Sequence, residues 1–142
     1  MISESDRDAI LDRISRIPIF ETLDMRVVSL DEGTCEVTIP RRSKYDGIYQ
    51  SLHGGILVTL ADSVAAFAIL TLTGPDEPVT TTDLNIRFLA PCLTDLTARA
   101  RVIKLGRTLC PVAVDLMNAE GTLVAVSQVT YLRLNPVGKK PE

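Results

Sequence analysis

The groups best suited to chemistry lie close together in the stretch HGGILVTLADSVAAFAILTLTG, residues 53–74. Thr59, Asp62 and Ser63 fall at i, i+3 and i+4, so on a helix they share one face, which Gly55 and Ala66 extend with small residues. The expected result is a narrow polar groove on an otherwise apolar rod. An unpartnered buried carboxylate is costly, so Asp62 needs either a partner or a chemical task. The same helix opens at His53-Gly54-Gly55. Two consecutive glycines at a helix N-terminus leave backbone N–H groups uncovered, with the positive end of the helix dipole behind them. That geometry suits an oxyanion developing on a carbonyl.

An acid and an oxyanion site on one buried helix point to attack on an acyl carbonyl, by the carboxylate or by activated water. One helix does not easily present both to the same carbonyl, because His53 and Asp62 are separated by roughly 13 Å of helix. A two-fold dimer resolves this by placing one chain's His-Gly-Gly opposite the other chain's Asp62. A structural alternative stands beside the catalytic one: Asp62 paired across a dimer to fix its register, His53 bonded to backbone, and the glycines serving close helix–sheet packing.

The surrounding elements must position this helix. Residues 5–17 place Ile10, Leu11, Ile14 and Ile17 on one face, predicting a short amphipathic helix capped by Ser5 and ending at Pro18. Residues 23–30 and 34–39 read as two strands joined by a turn at Asp31-Glu32-Gly33, with Cys35, Val37 and Ile39 alternating against Thr34, Glu36 and Thr38. A loop over about 40–52 carries Arg41, Arg42 and Lys44, candidates for phosphate contacts. The helix of residues 53–74 is apolar on nearly every side and stops at Gly74-Pro75. Asp62 at its centre argues for a helix enclosed by its own protein rather than a membrane span. Four alternating segments follow, at about 79–89, 94–104, 108–117 and 122–134. Their short connections exclude parallel pairing. Pro111, inside one of them, points to an edge strand or a bulge. The fold class expected is therefore α+β: one antiparallel sheet wrapped around one long central helix, with a short N-terminal helix, in a single domain over 1–142. Residues 138–142 read as a loose tail.

Composition narrows the function classes. With 142 residues, 46% apolar, 23% charged and a net charge of -3, the chain is neither disordered nor a basic nucleic-acid binder. Three Phe, three Tyr and no Trp leave little for stacking single-stranded nucleic acid. A mean hydropathy of +0.20 is high for so short a chain and favours a subunit interface. Cys35, Cys92 and Cys110 are widely spaced, and His53 is the sole histidine, so neither a disulfide framework nor a metal site is expected. The first residues, MISESDRDAI, lack the apolar core of a secretory signal, and a reduced cytoplasmic setting is the default.

SLHGGILVTLADS resembles the signature of the PaaI-like, HGG-motif branch of hotdog-fold acyl-CoA thioesterases, with the acid nine residues after the histidine. TTDLNIRFLAP resembles that branch's next strand, and VIKLGRTL followed by VDLMNAEGTLVAVSQVTY resembles the remainder, so the likeness covers about residues 20–134. It implies a hotdog fold, hydrolysis of an acyl-CoA thioester without a metal or redox cofactor, and homodimers with shared active sites that pair into homotetramers. It implies neither a nucleic-acid nor a membrane partner. By position, Asp62 matches the nucleophile or general base, Gly54 the backbone N–H that polarises the thioester carbonyl, and His53 the histidine that shapes the turn, with Gly55 beside it. Thr81 falls where relatives carry a Ser or Thr that positions the attacking water. Phe88, Leu89, Ala90 and Pro91, together with Lys104, Gly106, Arg107 and Thr108, match segments that border the CoA arm.

Relatives generally carry Asn or Gln six residues before the histidine. This chain has Gly47 there, with Asp46 and Gln50 as nearby polar groups and Gln50 as the candidate to take over the role. The departure keeps open a second reading, a non-catalytic acyl-CoA binding or sensing module. A hotdog hydratase is a weaker third, because that chemistry needs a catalytic His elsewhere. On the inferred geometry, Tyr45, Ile48, Tyr49, Val64 and Phe67 line the acyl tunnel, and aryl-acetyl, aromatic and medium-chain acyl groups all remain open.

Overall fold

A computed structural model describes residues 1–134, so the tail expected over 138–142 lies outside the described residues. Helix α1 (Glu4–Ser15) is capped by Ser3, whose hydroxyl accepts the Asp6 N–H at 3.0 Å, and Glu4 and Asp6 complement the helix dipole in its first turn. The cap is therefore two residues earlier than Ser5. Pro18 is also not a simple stop. It opens a second helix, α2 (Pro18–Thr22), as its first residue, where a missing N–H and a fixed φ are harmless. Asp24, at φ 53°, then turns the chain into β1 (Arg26–Asp31), which starts later than residue 23.

β1 and β2 (Thr34–Ile39) form a hairpin whose Gly33 adopts φ 75° and donates its N–H to Thr71 Oγ1 at 2.7 Å. The central helix α3 (Gly54–Thr73) follows, then β3 (Val79–Phe88), β4 (Leu96–Val102), β5 (Leu109–Met117) and β6 (Leu123–Arg133). One six-stranded sheet results, in the order β1-β2-β4-β5-β6-β3, with every pairing antiparallel. Alternate residues from four strands, among them Val37, Ala98, Val112 and Val129, are buried in one core with Leu60, Val64 and Ala68 of α3. β3 and β4, successive in sequence, are not neighbours: residues 89–95 cross from one side of the sheet to the other. The crossing passes the start of α3, where Leu52 N–H donates to the Cys92 carbonyl at 2.9 Å.

Two expectations are corrected here. Pro111 lies on the inner strand β5, paired with Thr130 and away from the register shift at Leu116/Met117. Its carbonyl accepts from the Ile103 N–H, just past the end of β4, so the missing proline N–H faces β4 where the ladder has run out. Helix α3 is not enclosed on all sides either. Leu57, Leu60, Ala61, Val64, Ala65 and Ala68 are buried, while Thr59, Asp62, Ser63 and Ala66 form a partly open stripe and Gly55 is exposed.

At the far end of the sheet Arg133 grips the fully buried Glu77 side chain, with Oε1 to Nη2 at 2.7 Å and Oε2 to Nε at 3.2 Å. Arg133 Nη1 also donates to the Gly106 carbonyl at 3.0 Å. Gly106 has no substitute, because a Cβ there would stand 2.4 Å from the Leu109 carbonyl oxygen. Arg133→Met removes the guanidinium from a buried carboxylate and is expected to destabilise the fold by about 3 kcal/mol in urea denaturation. All three cysteines are free and buried, and burial pushes the Cys35 thiol up to about 12 and the Cys110 thiol up to about 11. Native protein at mildly alkaline pH is therefore expected to react with a disulfide reagent at these two positions only slowly, and at the normal thiol rate once unfolded.

Candidate active site

The first cluster forms where the loop enters α3. Asp46 and Leu52 make an isolated bridge, Gly47 N–H donates to the Ser51 carbonyl at 2.9 Å, and His53 N–H donates to the Tyr45 carbonyl at 2.9 Å. His53 then caps the helix: its Nδ1 accepts the Gly55 N–H at 2.8 Å, and its carbonyl accepts the Ile56 N–H at 2.8 Å. Ahead of these two claimed amides, the Gly54 N–H meets no acceptor among the described residues. The Phe88 ring lies directly over Gly54, since a Cβ there would be 3.1 Å from its Cζ. Gly54, Leu57, Leu89, Ala90 and Pro91 join Phe88 around a cavity of about 390 Å³.

The second cluster sits at mid-helix. Thr59 and Ser63 spend their hydroxyls on the helix itself, donating to the carbonyls of Gly55 and Thr59 at 2.9 and 2.8 Å. The polar groove expected from the sequence thus reduces to Asp62. Thr81 Oγ1 donates to Asp62 Oδ1 at 2.7 Å, and the Tyr131 hydroxyl lies 3.0 Å from the same oxygen and 2.7 Å from the Asp62 carbonyl. Thr81 and Tyr131 face each other across the β3–β6 ladder, beside a register shift between Thr81 and Asp83. That bulge switches the inward phase from Leu84 and Ile86 to Thr81 and Val79. Burial pushes the Tyr131 phenol up, and the Asp62 carboxylate adds to this, so the phenol stays protonated and can donate. Tyr131 is the contact of Asp62 that sequence reasoning missed. Its signal was the inward phase of Ala125, Ser127 and Val129, which buries a hydroxyl that then needs a partner. A cavity of about 630 Å³ opens beside this cluster, walled by Ile17, Ala66, Phe67, Leu70 and Val79 as well as Thr81 and Tyr131.

The remaining candidates are dispersed. Lys104, Arg107 and Thr108 are exposed on the β4–β5 turn, which is tied down by the Thr108 carbonyl accepting the Arg133 N–H at 2.7 Å. Val79 pairs with Arg133 and Phe88 with Ala125, so within one protomer the two segments expected to border the CoA arm lie at opposite ends of β3, roughly 30 Å apart. Gln50 is exposed at φ 60°, and its carbonyl, rather than its amide, is engaged by Arg41 at 3.0 Å. Arg41 also pairs with Asp46 at 2.7 Å, Arg42 pairs with Asp24 at 2.9 Å, and Lys44 stands over the Tyr45 ring. Arg41 and Arg42 are thus committed within the chain. Of the expected tunnel residues, Phe67 lines the larger cavity and Val64 is core, Tyr45 donates to the Thr22 carbonyl at 2.9 Å, and Ile48 and Tyr49 are each 87% exposed.

An antiparallel sheet wrapped around one long helix is the architecture of the hotdog-fold thioesterases. The PaaI protein of the Escherichia coli phenylacetic acid degradation operon superposes with a TM-score of 0.87 over 96% of this chain and 98% of that one, at 24% identity. A putative esterase of Saccharolobus solfataricus is 32% identical over 108 residues, 75% of this chain and 76% of that protein. Human acyl-coenzyme A thioesterase 13 is 33% identical over 99 residues, 68% and 69% of the two chains. The thioesterase superfamily model matches residues 49–125. The chain belongs to the thioesterase superfamily, a family of thioester hydrolases.

The cap gives a direct test. His53→Ala is expected to lower stability by about 1 kcal/mol through the orphaned Gly55 N–H, and His53→Asn, whose side-chain oxygen can accept the same N–H, to recover most of it in thermal denaturation.

Proposed function

We propose that the protein is an acyl-CoA thioesterase whose active site is completed across a homodimer. The observation that carries this reading is the division of one helix between two cavities: the Gly54 amide opens on one, and the Thr81 and Tyr131 hydroxyls that hold Asp62 border the other. β3 supports it, as a ten-residue strand at the edge of the sheet with no partner on its outer side among the described residues. Antiparallel pairing of two β3 edges about a two-fold axis sets the Phe88 end of one chain against the Thr81 end of the other. It also brings Phe88, Leu89, Ala90 and Pro91 together with the partner copy's β4–β5 turn, where Lys104 and Arg107 can meet the phosphates of CoA.

In this reaction the thioester carbonyl accepts the Gly54 N–H. Asp62 of the other chain attacks the carbonyl carbon, or takes a proton from a water that does so. The tetrahedral oxyanion forms on the Gly54 N–H, the C–S bond breaks, and CoA leaves as the thiolate. With Asp62 as nucleophile, water then hydrolyses the mixed anhydride and releases the free acid. Neither route needs a metal or redox cofactor. The cavity of about 630 Å³ suits an aryl, aryl-acetyl or medium-chain acyl group. Three buried free thiols fit a reducing, cytoplasmic setting, and the dimers pair further into a homotetramer on this reading.

The test follows thiol release from short, medium, phenylacetyl and benzoyl thioesters of CoA with wild type and Asp62→Asn. Turnover is expected with at least one of them, falling by at least about a hundredfold in the Asn variant while its melting curve is retained. Binding without turnover in wild type would instead make the protein an acyl-CoA binding module, with Gly47 in place of an amide as the cause.

A further inference from the structure

Asp62 is held asymmetrically, and the asymmetry says which of its oxygens reacts. Two hydroxyls converge on Oδ1, from Thr81 at 2.7 Å and Tyr131 at 3.0 Å. Oδ2 has no hydrogen-bond partner among the described residues and belongs to a side chain on the partly open stripe of α3. The Tyr131 hydroxyl also lies 2.7 Å from the Asp62 carbonyl oxygen, a helix backbone atom whose position does not depend on the carboxylate's rotamer. Its one proton is shared between the two acceptors, the backbone oxygen being the nearer, so the phenol is anchored to the backbone of the residue whose side chain it holds.

We propose that Tyr131 is a positioning residue: with Thr81 it fixes the Asp62 carboxylate through Oδ1, so that Oδ2 is the oxygen presented to the thioester carbon or to its attacking water. This rests on the thioesterase reading for the role of Oδ2, while the clamp itself does not. Thr81 thereby acts on the carboxylate, with its hydroxyl 2.7 Å from Oδ1. Both hydroxyls reach the same oxygen because their residues are directly opposed across β3 and β6, with the bulge at Thr82 turning Thr81 inward. Serine at position 81 would keep such a donor. Phenylalanine at position 131 would keep the packing of the buried ring and lose only the clamp.

The experiment compares wild type, Tyr131→Phe and Thr81→Val by two readouts. The first is steady-state hydrolysis of hexanoyl-CoA and phenylacetyl-CoA. A carboxylate free to rotate loses its productive geometry, so kcat is expected to fall at least about tenfold in Tyr131→Phe, with KM within about twofold of wild type. An unchanged kcat overturns the proposal, and so does a loss confined to KM, which would make Tyr131 a wall of the acyl cavity. The second readout is the carbon NMR signal of the Asp62 carboxyl group at one fixed pH, which needs no turnover. Removing a hydroxyl from a carboxylate oxygen changes the electron density at the carboxyl carbon, so this signal is expected to move in both variants. No movement overturns the clamp. If wild type hydrolyses neither thioester, the thioesterase reading is what fails, and the carboxyl signal still decides whether Tyr131 and Thr81 hold Asp62. Should Tyr131→Phe not fold, Thr81→Val carries both readouts.

Discussion

A helix can lie against the hollow of a sheet only if every polar group it takes inside is satisfied, and α3 meets that condition in a way that leaves one carboxylate to be held by the sheet. Its Gly54 N–H is free among the described residues, and His53 meets the next two amides, its ring accepting the Gly55 N–H and its carbonyl the Ile56 N–H, while the Thr59 and Ser63 hydroxyls turn back on helix carbonyls. Asp62 cannot be satisfied that way, because a carboxylate is an acceptor and the helix has no donor to spare at mid-length. The donors come from the sheet, through Thr81 and Tyr131. The fold therefore holds the carboxylate with hydroxyls, which fix its position without setting an opposite charge against it as a guanidinium would.

The same packing explains why the site is divided. Asp62 must sit at mid-helix to reach the hydroxyls of β3 and β6, and the free Gly54 amide can exist only at the helix N-terminus. Roughly 12 Å of helix separates them, too far for one carbonyl to contact both. On the proposed mechanism a self-complementary edge is the economical remedy, and the strand order leaves β3, with Phe88 at one end and Thr81 near the other, as an edge of the sheet. By contrast, Glu77 is paired with Arg133 in a buried, charge-cancelled bridge that ties β6 to the β4–β5 turn, an arrangement suited to structure rather than proton transfer.

Much of this was readable from residue order, and the exceptions have physical reasons. The strand alternation of Cys35, Val37 and Ile39, and the predominantly apolar character of residues 56–72, reported most of the burial directly. Proline misled twice, because its effect depends on where its missing N–H points: Pro18 begins a helix, and Pro111 stands on an inner strand at the end of its neighbour's ladder. The sequence placed the β3–β4 connection correctly but not its path, because a short loop constrains reach and not which strands become neighbours. Thr81, Thr82 and Thr80 are indistinguishable by composition, and the bulge that turns Thr81 inward follows from pairing with β6, so only the family resemblance singled it out. Tyr131 lay hidden because its chemistry depends on a residue 69 positions away.

Gly47 takes its meaning from this arrangement. The loop from Arg41 to His53 is closed by Arg41, which holds the Asp46 carboxylate and the Gln50 carbonyl, and Gln50 is bent to a positive φ that its side chain does not favour. Arg41 Nε and Asp46 Oδ1 are left buried and without partners among the described residues, at a cost that a well-settled loop would avoid. A Cβ at Gly47 would fall 3.6 Å from the Cα and Cδ2 of His53, so a longer side chain at this position would start against the helix cap. A glycine there contributes no amide to orient water from the loop. The orienting groups that remain are on the Asp62 side, the two hydroxyls on Oδ1. On the proposed mechanism, a chain that lacks the loop amide and holds its carboxylate with two hydroxyls places the orienting burden on the base.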